Sequence, residues 1–134
     1  MEIMEMIILG LQIVLCAIFL YFGLLKMFLP LEKIEKKVSW ANDYSLSKLK
    51  FFGFLEVIGA LGLILPYQLD VLPILTPMAA TGLAMVMAGA GVVHLRRDEI
   101  NMIFLNILII FMLAGVGFHS LLDVFNVEVT LAGV

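Results

Sequence analysis

The sequence predicts an all-α fold, a bundle of four transmembrane helices with both termini outside the cell and a short amphipathic helix at the membrane surface between the first two. Three observations predict it. Of 134 residues, 63% are apolar and 14% charged, where a soluble domain carries about 25% charged residues, and the mean hydropathy is +1.16. The apolar residues fall into four runs, and since one crossing takes roughly 20 apolar residues, four spans and their loops leave no length for a second domain. All eight basic residues, Lys26, Lys33, Lys36, Lys37, Lys48, Lys50, Arg96 and Arg97, lie at the first and third connections, which the positive-inside rule places in the cytoplasm.

The first span covers about 6–29, apolar except for Gln12 and Lys26. It is too long for the apolar region of a cleavable signal peptide, and no small-residue cleavage site follows it. Pro30 ends the run and opens a segment, about 30–46, in which Leu31, Ile34 and Val38 recur at helical spacing among charges. That pattern predicts a helix lying in the interface, followed by Trp40 and Tyr44 and by Ser45 or Ser47 as N-cap of the next helix. The second span, about 48–65, contains Glu56 and is expected to stop at the turn signal Pro66-Tyr67-Gln68-Leu69-Asp70. The third, about 72–95, carries Pro73 in its first turn and Pro77 as the source of a bend. The fourth runs over about 100–122. Helices one and two are expected to pack against three and four. Glu2, Glu5, Asp70, Asp123 and Glu128 then lie outside.

Composition also removes function classes. A lone Cys16 inside the first span allows neither an internal disulfide nor a Cys-x-x-Cys pair. A net charge of −3 with no basic tail argues against nucleic acid as a partner. His94 and His119 fall near opposite membrane surfaces, too far apart to ligate one haem iron together. The nine Met residues lack a tight repeat, and no metal site is expected.

Four polar residues at membrane depth, Lys26, Glu56, His94 and Asn106, all fall in the cytoplasmic half. Burying such groups in a bilayer costs several kcal/mol unless they are paired. Lys26 alone could snorkel to the headgroups and His94 could simply open a loop. Glu56 is too short to do so, which leaves pairing with Lys26, His94 or an Arg, or a protonated carboxyl. Helical phase favours convergence. Glu56 shares a face with Gly53, Gly59 and Ala60; Gln12, Phe19, Phe22 and Gly23 share one with Lys26; Ala80, Ala84, Ala88 and Gly91 form a small-residue stripe about a quarter-turn from His94. On the fourth helix Asn106 aligns with Ile110, Gly117 and Ser120, and His119 faces away. The cluster is either a site or a structural ion pair that fixes helix register. Gln12, Arg96 and Arg97 are secondary candidates, and Gly62 joins the packing residues.

Tyr21-Phe22-Gly23-Leu24-Leu25-Lys26, the run from Gly53 to Leu63 with its Glu56-Val57-Ile58-Gly59, and His94-Leu95-Arg96-Arg97-Asp98-Glu99 followed by Asn106 together resemble the DoxX-like family of small four-helix membrane proteins. The resemblance implies a membrane subunit working in a complex, with quinone-linked sulfur oxidation, oxidative-stress defence and receptor chaperoning among the roles of relatives. The expected function is a binding or assembly module whose cluster holds a small ligand or a quinone headgroup, or docks a protein partner. The alternatives are a quinone-linked oxidoreductase subunit, with Glu56 and His94 handling protons beside Lys26 or Arg96, and a small-solute transporter. The expected partners are the lipid bilayer and a protein in a membrane complex, and a homodimer is compatible with the small-residue stripe.

Overall fold

The computed structural model describes residues 2–133, without the side chains of Val127 and Glu128, so the expected outer position of Glu128 lies outside the described residues. Five helices follow in order: α1 (Ile3–Phe28), α2 (Leu31–Glu35), α3 (Leu46–Leu69), α4 (Leu75–Arg96) and α5 (Ile100–Leu131). α1, α3, α4 and α5 are each long and apolar enough to cross a membrane. Their outer surfaces expose large apolar side chains such as Ile7, Phe51, Phe111 and Phe118, which is where lipid replaces water as solvent. α1 packs most extensively on α3 and α4 on α5, with α3 against α4 joining the two pairs and only a slight contact between α1 and α5.

Helix ends follow local chemistry. α1 stops before Pro30, whose ring disfavours helical backbone at the preceding residue, and Leu29 is extended. The Ser45 hydroxyl caps α3, accepting from the Lys48 N–H at 3.4 Å. At the other end Asp70 closes α3 in the left-handed region.

Pro66 does not stop α3, contrary to the expectation from its turn signal; the helix continues through it to Leu69. A proline there removes the N–H that would bond the carbonyl four residues back, Gly62 O. The Thr76 hydroxyl donates to that same carbonyl at 3.0 Å. The neighbouring carbonyl, Leu63 O, accepts from Gln12 Nε2 at 2.7 Å. Side chains on two adjoining helices thus supply donors where the proline weakens the ladder, the condition under which a membrane helix tolerates one. Gln12 is therefore a packing residue of the bundle interior.

Pro77 also differs from expectation. α4 begins at Leu75, so Pro77 occupies the first turn, where its missing N–H has no helical acceptor to leave unpaired and no cause for a bend remains. α5 runs nine residues past Leu122, since no Gly or Pro lies between Leu122 and Gly133. Its 32 residues span about 48 Å, well beyond a hydrocarbon layer of about 30 Å.

Two apolar clusters hold the interior. One joins Leu15, Phe19, Leu63, Leu83, Leu113 and Val116 from the four long helices. The other lies under the first connection, where Leu25, Ile34, Val38, Trp40, Ala41 and Leu49 meet. The amphipathic segment is accordingly a five-residue helix followed by a short 3₁₀ turn, and Ile34 and Val38 are buried against this second cluster. Of the small-residue stripe, Ala80 is buried against Gly117 and Ala84 packs on the first cluster, whereas Ala88 is exposed. A side chain added at Gly59 would strike Leu83, and one at Gly62 would strike Ala79, so both glycines set the α3–α4 spacing.

A polar cavity at one end of the bundle

The first and third connections meet at one end of the bundle. Ser39 donates to Glu99 Oε2 at 2.7 Å, and Arg97 bridges Glu99 Oε1 at 2.8 Å and Asp43 Oδ2 at 2.9 Å. The Ser39 hydroxyl, then the Arg97 guanidinium and the nearby His94, hold the Glu99 carboxyl below the usual carboxylate range. Glu99 and Asp43 in turn raise Arg97 further above its ordinary value. At the opposite end Tyr67 donates to Asp123 Oδ2 at 2.9 Å.

Beneath this clasp of Ser39, Asp43, Arg97 and Glu99, the four buried polar residues come together around one cavity. Lys26 Nζ lies 2.6 Å from Glu56 Oε1, each residue being 4% exposed. Glycines make this approach possible. A Cβ on Gly23 would come within 2.8 Å of Gly53 O, and one on Gly53 within 2.5 Å of Gly23 O, so the backbones of α1 and α3 touch. Each charge lies three residues beyond its glycine. Because helical side chains lean toward their own N-terminus, Lys26 and Glu56 lean toward each other from these antiparallel helices. The ammonium also sits 5.3 Å from the centre of the Trp40 ring, a cation–π contact.

His94, at the end of α4, is 4% exposed; its Nδ1 lies 3.5 Å from Glu99 Oε1, beyond good hydrogen-bond geometry. Asn106 on α5 is equally buried and donates to Met87 O at 3.4 Å. All four residues line one cavity of about 580 Å³. Much of the remaining wall is apolar and aromatic: Phe22 from α1, Phe52 from α3, Trp40 and Tyr44 from the first connection. Trp40, Tyr44 and Phe52 meet edge to face, with centroids 5.4–6.4 Å apart.

Two buried atoms at this cavity have no hydrogen-bond partner among the described residues, Glu56 Oε2 and His94 Nδ1. Buried polar atoms are nearly always satisfied, so these two are the chemically available groups. The arrangement offers one accepting carboxylate oxygen, one imidazole nitrogen, an ammonium and an amide around an apolar chamber.

The secondary candidates separate. Arg97 belongs to the clasp, Arg96 is exposed and outside the cavity lining, and Gln12 lies in the bundle interior. Gly91 meets Asn106 only loosely, since a Cβ at that position would still be 3.8 Å from Nδ2. His119 stands apart at the other end, with Nδ1 3.5 Å from Asp123 Oδ2. Sequence reasoning did not assign Ser39, Trp40, Asp43, Tyr44, Phe52 or Glu99 to the site. A signal was present in Asp43 and Glu99, acids within the two basic connections, which bridge those connections in space.

The model of the DoxX-like family matches residues 10–116. No curated protein and no solved structure matches the chain.

Proposed function

The chain belongs to the DoxX-like family, and we propose that this multi-pass membrane protein is a binding module or membrane subunit whose cavity receives a small ligand on Lys26, Glu56, His94 and Asn106. The observation that carries this reading is the unpartnered Glu56 Oε2 in the wall of a chamber of about 580 Å³, well within the size range of small-molecule sites. A purely structural ion pair would gain from satisfying both carboxylate oxygens and from closing the space around them. The eight basic residues at the connections on this end support a cytoplasmic location for the clasp and an outer location for both termini.

A quinone-linked oxidoreductase subunit is the second reading, and the donor set favours it. Lys26, His94 and Asn106, from three helices, carry side-chain N–H donors in the cavity lining, which fits a headgroup bearing carbonyl oxygens. Quinone would supply the electron chemistry, while these residues would orient its head and exclude water. Arg96, exposed and outside the lining, takes no part in this reading.

Native mass spectrometry of gently purified protein, wild type beside Glu56→Gln, tests the proposal. The expected result is a co-purifying small-molecule mass on the wild type that is reduced or lost in the variant. A wild type that flies bare, or a mass retained equally by both forms, would make the cluster architectural.

A further inference from the structure

The walls of the cavity differ in character. Toward the clasp it is bounded by Trp40, Tyr44 and the polar cluster, and the segment across it is tied down by the Ser39–Glu99 and Arg97–Asp43 bonds. Where α4 and α5 form the wall, its lining includes Met85 and Gly89, deeper in the bundle, and Met102 and Leu105, in the first two turns of α5, all apolar and all exposed. Met85 precedes Arg96 by eleven residues, about 16 Å along the helix, and therefore lies near the middle of a hydrocarbon layer of about 30 Å. The slight contact between α1 and α5 leaves that side of the bundle weakly closed. The exposed apolar part of the cavity thus faces lipid, and its polar part lies beneath a tethered segment.

The head that fits the polar part is defined by what is left unsatisfied. Among the described residues, Glu56 Oε2 is the buried side-chain oxygen with no donor. An anionic head would be set against that carboxylate, with the Lys26 charge already engaged at 2.6 Å. A cationic head would be set against the Lys26 ammonium. Either would add an unbalanced charge to a largely apolar chamber, at high cost. An uncharged hydroxyl supplies the missing donor without that cost.

Resting on the binding reading above, we infer that the cavity is loaded sideways from the bilayer by an uncharged, hydroxyl-bearing lipophile, whose O–H donates to Glu56 Oε2 while its apolar body lies along Met85, Gly89, Met102 and Leu105. Trp40 reports on the polar end because it is the only tryptophan in the chain and lines the cavity.

The test is quenching of Trp40 fluorescence in phosphatidylcholine vesicles by 2-bromododecan-1-ol and by its methyl ether, which keeps the oxygen and the chain but has no donor. The alcohol should quench saturably and bind about tenfold more tightly than the ether, the scale of one hydrogen bond to a charged acceptor. In Lys26→Met/Glu56→Met, an apolar replacement of the whole ion pair of the kind proteins commonly tolerate, the alcohol should fall to the level of the ether. Gly89→Phe addresses the route without touching the polar cluster. A Cβ at Gly89 meets nothing within 4 Å, so a side chain can start there without a backbone clash, and its ring at the cavity wall should weaken both probes. Equal binding of alcohol and ether would overturn the hydroxyl assignment, and unchanged binding in Gly89→Phe would overturn lateral loading. Quenching that never saturates with either probe would overturn both. The co-purifying mass sought in Glu56→Gln does not depend on these probes, so the binding reading stands or falls separately.

Discussion

The two ends of the bundle treat buried polar groups in opposite ways. Away from the clasp, Thr76, Gln12 and Ser120 each donate to a backbone carbonyl, Gly62 O, Leu63 O and Val116 O, within a closely packed apolar cluster. Beside the clasp, Lys26 and Glu56 pair with each other, Glu56 Oε2 and His94 Nδ1 stay unpartnered, and a chamber of about 580 Å³ opens around them. The first end repairs backbone hydrogen bonding and packs, and its unpartnered His119 Nδ1 lies outside the cavity lining; the second keeps polar capacity in reserve beside space. In a medium without water to satisfy stray polar groups, that contrast separates architecture from a site.

The comparison breaks most readily at the ion pair. Lys26→Met alone should cost about 3 kcal/mol of stability by stranding Glu56 in the interior, whereas Lys26→Met/Glu56→Met should recover most of the loss. Thermal unfolding in detergent measures both. A double variant as unstable as the single one would mean that the pair holds the helices together, and the site end would then be architectural too.

A smaller effect is expected at the packed end. Thr76→Val keeps the shape of the side chain but removes the donor to Gly62 O, and should cost about 1–2 kcal/mol, read in the same melts. The Trp40 spectrum should stay unchanged, because Thr76 is not among the residues lining the cavity. If Thr76→Val shifts Trp40, the two ends are coupled and the division between them fails.

The smallest effect is one of pH. The Glu99 carboxyl is held below its ordinary value of 4.5, so its contribution to stability is present above that value and lost as pH falls through the lower folded-state value. Acidification well below that ordinary value should therefore loosen the clasp, reported by Trp40 emission. In Glu99→Gln this acid transition should be missing or much reduced. An acid response of equal size in that variant would assign it to other carboxylates.

Much of the candidate site was legible in the sequence. Lys26, Glu56, His94 and Asn106 stand out because an ionisable or amide side chain inside an apolar run must be explained, and a common depth with compatible helical phase was enough to expect them together. The glycines that permit the approach, Gly23 and Gly53, were readable from their spacing to the charges. What was not legible depended on partners distant in sequence. Pro66 reads locally as a stop, and only Thr76 and Gln12 on neighbouring helices supply the donors beside it. Leu31, Ile34 and Val38 read as an amphipathic surface helix, yet Ile34 and Val38 found apolar neighbours within the chain itself.

By itself the sequence determined the four membrane-spanning elements and the family, because hydrocarbon demands long apolar helices and leaves a one-dimensional record of them in composition and run length. Tertiary structure alone decided which polar atoms are satisfied and which are left over. The clasp of Ser39, Asp43, Arg97 and Glu99, the aromatic wall of Trp40, Tyr44 and Phe52, and the bare Glu56 Oε2 all arise where separate helices meet. Hydrogen-bond satisfaction is a property of such pairs of residues, and no pattern along a single segment carries it.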